Sequence, residues 1–139
     1  MAYDPSNIFA RILRGEIPCH KVFEDEHTLA FMDIMPQSEG HTLVIPKTPG
    51  EDIFSIPPEA LAATIRSTQR IAVAIQKAFS PAGVMVAQLN GAGAGQSVFH
   101  LHFHVIPRHH GVDLRMHAGP PADHARLAEH ATRIRAALY

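Results

Sequence analysis

The chain has 139 residues, 46% hydrophobic and 18% charged, which fits one globular domain with a sizeable core. Twelve Lys and Arg against thirteen Asp and Glu give a formal charge of -1, so the composition offers no general attraction for nucleic acid or an anionic membrane. The single cysteine, Cys19, excludes an internal disulfide, and the first residues lack the pattern of a secretory signal. These two features make a cytoplasmic setting the expectation, and because no apolar run approaches the ~18 residues of a membrane span, we expect no membrane partner.

Hydrophobic periodicity and turn residues predict both helices and strands along the chain. The first half should contain a short helix capped by Ser6 and ended by Gly15, then three strands. The predicted strands are Lys21–Glu24, Thr28–Ile34 and His41–Ile45. Alternation along the second strand predicts that Phe31 and Asp33 share one face.

The second half should contain a long helix, two further strands and a final helix. The long helix begins near Pro57 and buries a stripe at helical spacing. Its stripe consists of Leu61, Ile65, Thr68, Ala72, Ile75 and Phe79. The strands are Val84–Asn90 and Val98–Ile106, separated by a loop with glycines at 91, 93 and 95. The final helix, about 122–137, carries an apolar stripe that suits either the core or a dimer surface.

Eleven histidines are the unusual feature of the composition, and three of them alternate along the predicted last strand. On a strand, side chains two residues apart share a face, so His100, His102 and His104 should line one surface. Apart from His41, which begins the third predicted strand, we expect the remaining histidines to be surface groups. They are His20, His27, His109, His110, His117, His124 and His130.

Two chemistries use such a histidine stripe. Imidazole is the commonest metal ligand, and near neutral pH it is also a nucleophile. A metal site needs a further carboxylate or histidine, whereas phosphoryl transfer needs donors for the phosphate oxygens. The preceding loop can supply such donors, because its glycines let the backbone approach a ligand and Asn90, Gln96 and Ser97 add polar side chains.

The run His100-Leu101-His102-Phe103-His104-Val105-Ile106 resembles the His-x-His-x-His-x-x motif of the histidine triad nucleotide-binding proteins. The likeness covers about residues 7–108 and is strongest to the purine nucleoside phosphoramidase-like branch. Further matching segments are Ile8-Phe9, Gly15–Pro18, Val22–Asp25, Leu29–Asp33, Gly40–Lys47 and Gly95–Ser97.

This resemblance implies a single α+β domain over 1–139, with a five-stranded antiparallel sheet, a long helix and flanking helices, and the sheet extended across a homodimer. It also implies hydrolysis at the α-phosphate of purine nucleotide derivatives through a covalent nucleotidyl-histidine.

The resemblance implies the following roles. His102 matches the nucleophile, His104 the phosphate contact, His100 an orienting partner and His41 the histidine that completes the cluster. Ser97 matches the hydroxyl near the leaving group, Asn90 and Gly95 the phosphate-side loop, Asp33 the ribose-binding carboxylate, and Phe31 and Val22 the walls of the base pocket.

One departure from the family concerns zinc. Some bacterial relatives hold a structural zinc through a Cys-x-x-Cys pair and histidines. Asn7 and Ala10 stand at the cysteine positions here, and Pro49 stands near a further ligand position, so we predict no metal and no cofactor.

Three other functions remain open from the sequence. A dinucleoside polyphosphate hydrolase would use the same nucleophile with a larger leaving-group site. A nucleotide-binding regulatory module would bind its partners without needing His102. A metal-dependent enzyme would lose its activity to chelators.

Overall fold

The computed structural model describes residues 2–111 and 121–139. Its helices are α1 (Ile8–Leu13), α2 (Pro58–Phe79) and α3 (His124–Ala137). Its strands are β1 (Lys21–Glu24), β2 (Thr28–Met32), β3 (Thr42–Pro46), β4 (Gly83–Gln88) and β5 (Phe103–Arg108). A short 3-10 helix, Ala92–Ala94, interrupts the glycine loop.

The five strands form one antiparallel sheet, as predicted, and their order across it is β1-β2-β3-β5-β4. Helices α2 and α3 cover one face of the sheet, where apolar residues of both helices pack with the inward side chains of the strands. Helix α1 lies on the other face, where Phe9 packs with Leu29, Phe31, Leu43 and Ile45. The fold is therefore α+β with two apolar layers, one on each side of the sheet.

Several element boundaries differ from the predictions for local reasons. The cap of α1 is Asn7, whose side chain accepts a hydrogen bond from the Ala10 N–H, and not Ser6. Strand β2 ends at Met32 rather than Ile34, because the Asp33 carboxylate accepts the Met35 N–H at 2.8 Å and turns the chain. The glycine loop starts earlier than expected, because β4 ends at Gln88.

The buried face of α2 is rotated from the predicted stripe. Ile65 is 49% exposed, whereas Thr64, Ser67 and Ile71 are buried with Thr68 and Ile75. Small polar residues lie inward here because their hydroxyls find partners: the Thr64 and Thr68 hydroxyls donate to carbonyls four residues back. Pure apolar spacing could not reveal this.

Helix α3 serves the core. Leu127, Ala131 and Ile134 are buried against α2 and the sheet. His130 is also buried, edge-to-face on Phe79, so its assignment as a surface group was wrong. His117 lies outside the described residues. Across the described ranges, no helix combines the length and the apolar character that crossing a bilayer requires.

Candidate active site

The three alternating histidines meet, but only His104 lies within a strand. Strand β5 begins at Phe103, so the prediction of a strand from Val98 was wrong. The physical reason is that the Leu101 N–H donates to the Gly50 carbonyl at 2.8 Å instead of joining a strand ladder. His100 and His102 therefore sit on an irregular segment immediately before β5, and each is buried.

Strand register places His104 beside the apolar layer under α1. Phe31 on β2 pairs with Leu43 on β3, and Leu43 pairs with His104 on β5. Directly paired residues of antiparallel strands project to the same face. These three side chains therefore form one row across the sheet, on the face that α1 covers.

The His102 ring is held by a main-chain carbonyl two residues earlier and by an aromatic neighbour. Its Nδ1 lies 2.7 Å from the carbonyl oxygen of His100, and Phe9 packs edge-to-face on its ring with 4.9 Å between centroids. A carbonyl only accepts hydrogen bonds, so Nδ1 carries the proton and Nε2 of the neutral ring presents a lone pair. Burial lowers the pKa of His102, which favours this neutral state.

A second chain of hydrogen bonds places the proton of His104 on Nε2, whereas the proton of His102 is on Nδ1. The main-chain N–H of Gln37 donates to Nδ1 of His41 at 3.0 Å, so the proton of neutral His41 is on Nε2. That Nε2–H lies 3.0 Å from Nδ1 of His104, which must accept. Neutral His104 therefore carries its proton on Nε2. Burial lowers the pKa of both rings to about 4, so both are neutral at pH 7.

The site thus presents a lone pair and an N–H on two neighbouring rings. The rings of His102 and His104 are 4.9 Å apart between centroids, at an angle of 63°. Nε2 of His102 can attack an electrophilic centre, and Nε2–H of His104 can donate to an oxygen on it. This is the pairing that phosphoryl transfer requires.

His100 orients the segment and is not itself a free nucleophile. Its ring is fully buried, and Nε2 lies 2.8 Å from the carbonyl oxygen of Pro46. Burial lowers its pKa to about 4. The carbonyl of His100 is the group that accepts from His102, and the orienting role of His100 stays a prediction.

Asp33 lies next to the imidazole cluster. One carboxylate oxygen is 3.4 Å from Nε2 of His41, and the other accepts the Met35 N–H. Burial raises the pKa of Asp33, while the Met35 N–H and the nearby His104 and His102 oppose that rise. The carboxylate remains partly open to solvent, so it can accept hydroxyl donors from a ligand.

Asp33, His41 and His104 together have the composition of a two-histidine, one-carboxylate metal site, with ligand atoms within 4.8 Å of one another. The hydrogen bonds do not suit a metal. A ligating nitrogen needs a lone pair, but the Gln37 N–H already occupies Nδ1 of His41 and leaves Nε2 protonated. The cluster fits a proton-donating chain better than a metal centre.

The polar residues of the glycine loop mostly brace the loop. Gln96 is buried; its amide oxygen accepts the Gly91 N–H, and its amide nitrogen donates to the carbonyls of Glu51 and Val98. The side-chain amide of Gln96 is therefore engaged in holding the loop, and its nucleotide contact stays a prediction.

Asn90 has a similar bracing role. Its amide oxygen accepts the Ile53 N–H at 2.8 Å, and its amide nitrogen donates to Gln88 at 2.9 Å. Gly95 adopts a φ of +98°, a conformation that favours glycine, and the adjacent Ser97 is exposed. The main chain of the loop and the Ser97 hydroxyl are thus the parts left for a ligand.

Of the two predicted base-pocket walls, the structure brings only Phe31 to the site. Val22 is buried on the opposite face of the sheet, against α2 and α3, because the register of β1 shifts between Lys21 and Phe23. Phe9 takes the place beside Phe31, with ring centroids 5.5 Å apart, and it also contacts His102. Sequence reasoning did not assign Phe9 to the site. The Ile8-Phe9 segment was noted as matching the family, but the sequence did not indicate which residues Phe9 packs against.

Comparison with known proteins agrees with this geometry. The HIT domain family matches residues 14–111 of the chain. The Bacillus subtilis protein named Protein hit is 48% identical over 102 residues, covering 73% of this chain and 70% of that protein. Adenylylsulfatase HINT3 of Arabidopsis thaliana is 42% identical over 101 residues, covering 73% of this chain and 51% of that protein.

A solved structure extends the likeness to nearly the whole fold. The crystal structure of a Hit-like protein from Bartonella henselae, described as involved in cell-cycle regulation, superposes with a TM-score of 0.90 at 48% identity. It covers 98% of this chain and 99% of that one. The arrangement of the buried histidines and these matches together show that the chain belongs to the HIT domain family.

Proposed function

We propose that the protein is a nucleotide hydrolase that cleaves nucleoside phosphoramidates or related nucleotidyl adducts at the α-phosphate. The single observation that carries this proposal is the complementary pair of neighbouring rings at the centre of the site: His102 offers a lone pair on its Nε2, and His104 offers an N–H on its own. Family membership and a relative named as an adenylylsulfatase support a nucleotide as the ligand.

The proposed reaction has two steps. In the first, the Nε2 lone pair of His102 forms a bond to the α-phosphorus while the bond to the leaving group breaks. The leaving group takes that electron pair and a proton from the Ser97 hydroxyl. In the second, water adds its hydroxide to phosphorus and its proton to the Ser97 oxygen, which releases a nucleoside monophosphate and neutral His102. Donation from His104 and the main-chain N–H groups of the loop stabilises the phosphate oxygens.

The nucleotide would lie across the face that carries α1. Asp33 is the proposed acceptor for the ribose hydroxyls, and the edge-to-face pair of Phe9 and Phe31 offers an apolar wall for a purine. We propose no metal or organic cofactor for this reaction, in keeping with the donor role of His41.

Trapping the intermediate tests the proposal. The protein is mixed with adenosine 5′-phosphoramidate, quenched and digested, and the peptides are analysed by mass spectrometry. We expect an adenylyl group on residue 102. His102→Ala should show neither adduct nor turnover, whereas His27→Ala, a change at an exposed histidine, should show both. Full turnover by His102→Ala would overturn the proposal.

The alternative dinucleoside polyphosphate activity is compared in the same assay. Diadenosine polyphosphate and adenosine phosphoramidate would give the same adenylyl-histidine, so their relative kcat/KM values rank the two leaving groups. A regulatory module would instead bind adenosine monophosphate and keep its cellular effect in the His102→Ala variant.

We also propose that the chain forms a homodimer and works in the cytoplasm. Strand β4 is an edge of the sheet, and Val86 on it is 48% exposed. Ile65 on α2 is similarly exposed, and unpaired apolar edges of this kind favour association. Light scattering of the wild type should give twice the chain mass. Val86→Lys should reduce the measured mass more than Val86→Thr does. A monomer mass for the wild type and for both variants would contradict the dimer.

A further inference from the structure

The amino-terminal segment makes a direct contact with the histidine cluster. The phenolic oxygen of Tyr3 lies 2.6 Å from Nδ1 of His100, ninety-seven residues away, and the two rings meet edge-to-face at 5.7 Å between centroids. Tyr3 thus reaches a fully buried ring that the proposed mechanism does not use as a nucleophile.

The segment that carries Tyr3 is itself fixed. The Asp4 carboxylate accepts hydrogen bonds from the Ser6 N–H at 2.9 Å and from the Ser6 hydroxyl at 2.6 Å. Arg14, at the end of α1, donates to the Pro5 carbonyl at 2.7 Å. These contacts tie residues 4–6 to α1, so the Tyr3 hydroxyl belongs to a built arrangement.

The hydrogen bonds of His100 define its tautomer. The Pro46 carbonyl can only accept, so Nε2 of His100 carries the proton and Nδ1 of the neutral ring is a lone pair. The Tyr3 hydroxyl therefore donates to Nδ1. Both nitrogens of this buried ring are satisfied, one from each side, and the ring has a single favoured orientation.

We infer that Tyr3 is a positioning residue for His102 and acts through His100. The clamp formed by Tyr3 and Pro46 fixes the His100 ring, and the carbonyl of the same residue accepts Nδ1–H of His102 at 2.7 Å. Holding that carbonyl in place keeps the proton of His102 on Nδ1 and its lone pair on Nε2. The inference rests on the proposed function, because it assigns Tyr3 a role in preparing the proposed nucleophile.

Tyr3→Phe tests this by removing one oxygen atom while keeping the ring against His100. We expect kcat for adenosine phosphoramidate to fall roughly tenfold with KM unchanged, because small misalignments of reacting groups reduce rates by such factors. Tyr139→Phe is the matched control, since Tyr139 is the other tyrosine of the chain and is 91% exposed.

Histidine ¹⁵N NMR supplies a readout that is independent of turnover. In the wild type and in Tyr139→Phe, His102 should show one tautomer with the proton on Nδ1; in Tyr3→Phe it should show a mixture. Replacement of Tyr3 by p-aminophenylalanine, which keeps a donor, should restore both kcat and the single tautomer.

The inference is overturned if Tyr3→Phe matches Tyr139→Phe in kcat, or if kcat falls while His102 keeps its single tautomer, which would indicate a general structural role. A failure of the proposed function is distinguishable: it would appear as turnover in His102→Ala, while the NMR comparison would still report on the positioning of His102.

Discussion

The main-chain N–H of Gln37 donates to Nδ1 of His41 across 3.0 Å, and this contact sets the polarity of two rings at once. Because it places the proton of His41 on Nε2, it makes Nδ1 of His104 an acceptor and Nε2 of His104 a donor. A single peptide group thus determines which nitrogen of His104 donates and which accepts. The direction of the hydrogen bonds, more than the presence of three histidines, distinguishes a phosphoryl-transfer site from a metal site.

Substitution of His41 should separate the donor role from simple packing. His41→Leu removes the donor to His104 and should lower kcat roughly 100-fold, a size typical of lost proton-donating groups in catalysis. His41→Gln places an amide N–H near the position of Nε2 and should lose only about tenfold by the same argument. The measurement is kcat for adenosine phosphoramidate, with circular dichroism as a check of folding. Equal losses in both variants would contradict the donor role.

The hydrogen bonds by which Gln96 holds the glycine loop predict an effect on stability as well as on activity. Gln96→Leu leaves the Gly91 N–H and two carbonyls without their amide partner, and unpaired buried polar groups are costly. We expect a loss on the order of 3 kcal/mol in the free energy of unfolding. We also expect a higher KM, because the loop no longer holds its shape.

The control for that experiment is Ser97→Ala. Ser97 is the neighbouring residue and is exposed, so urea unfolding of this variant should match the wild type within about 0.5 kcal/mol. A Gln96→Leu protein as stable as Ser97→Ala would show that the loop is held by other contacts.

The amino-acid pattern predicted the sheet and its element order well because strands and helices leave strong periodic signals. Lys21–Glu24 was predicted with its observed bounds. The motif also located the cluster, since His41, His100, His102 and His104 do meet. The sequence pattern did not predict the path of the main chain between these elements.

Two errors share one physical cause, which is that contacts made far along the sequence override local periodicity. The Gly50 carbonyl takes the Leu101 N–H out of the predicted strand. The hydroxyl of Ser67 meets that of Thr28 inside the core, so α2 turns a polar residue inward. Gly50 and Thr28 are both far in the sequence from Leu101 and Ser67, the residues whose positions they affect.

The buried imidazoles predict a loss of stability in mild acid. His41, His100 and His104 have folded-state pKa values of about 4, below the ordinary value of 6.5. Between these values the unfolded chain binds more protons, so stability is fully present above about pH 6.5 and falls as the pH drops toward about 4. One such histidine contributes on the order of 3 kcal/mol over this range.

Urea unfolding at pH 7.5, 6 and 5 measures this dependence, and His41→Gln isolates one contribution. The variant should lose less stability than the wild type between pH 7.5 and 5, because one titrating ring is gone. The raised pKa of Asp33 acts in the opposite direction and is present in both proteins. Identical slopes for the two proteins would rule out His41 as a source of the acid sensitivity.

The turn that delivers His41 predicts a strong effect of a single methyl group. Gly40 has a φ of +92°, and a Cβ atom there would lie 2.9 Å from Phe79 Cε2 and 3.1 Å from Pro107 Cγ. Gly15 has a φ of +78° but no atom within 4 Å of such a Cβ. Both alanine variants therefore bear the backbone cost of about 1 kcal/mol, and only Gly40→Ala adds a steric cost of about 1–3 kcal/mol.

Urea midpoints of the two variants give the steric cost by difference, because the backbone contribution is similar in both. Gly40 directly precedes His41, so relief of the clash by movement of the turn should also disturb the Gln37–His41–His104 chain and lower kcat in Gly40→Ala alone. If Gly40→Ala and Gly15→Ala unfold at the same urea concentration with unchanged kcat, the turn is compliant and the close approach to Phe79 does not constrain the site.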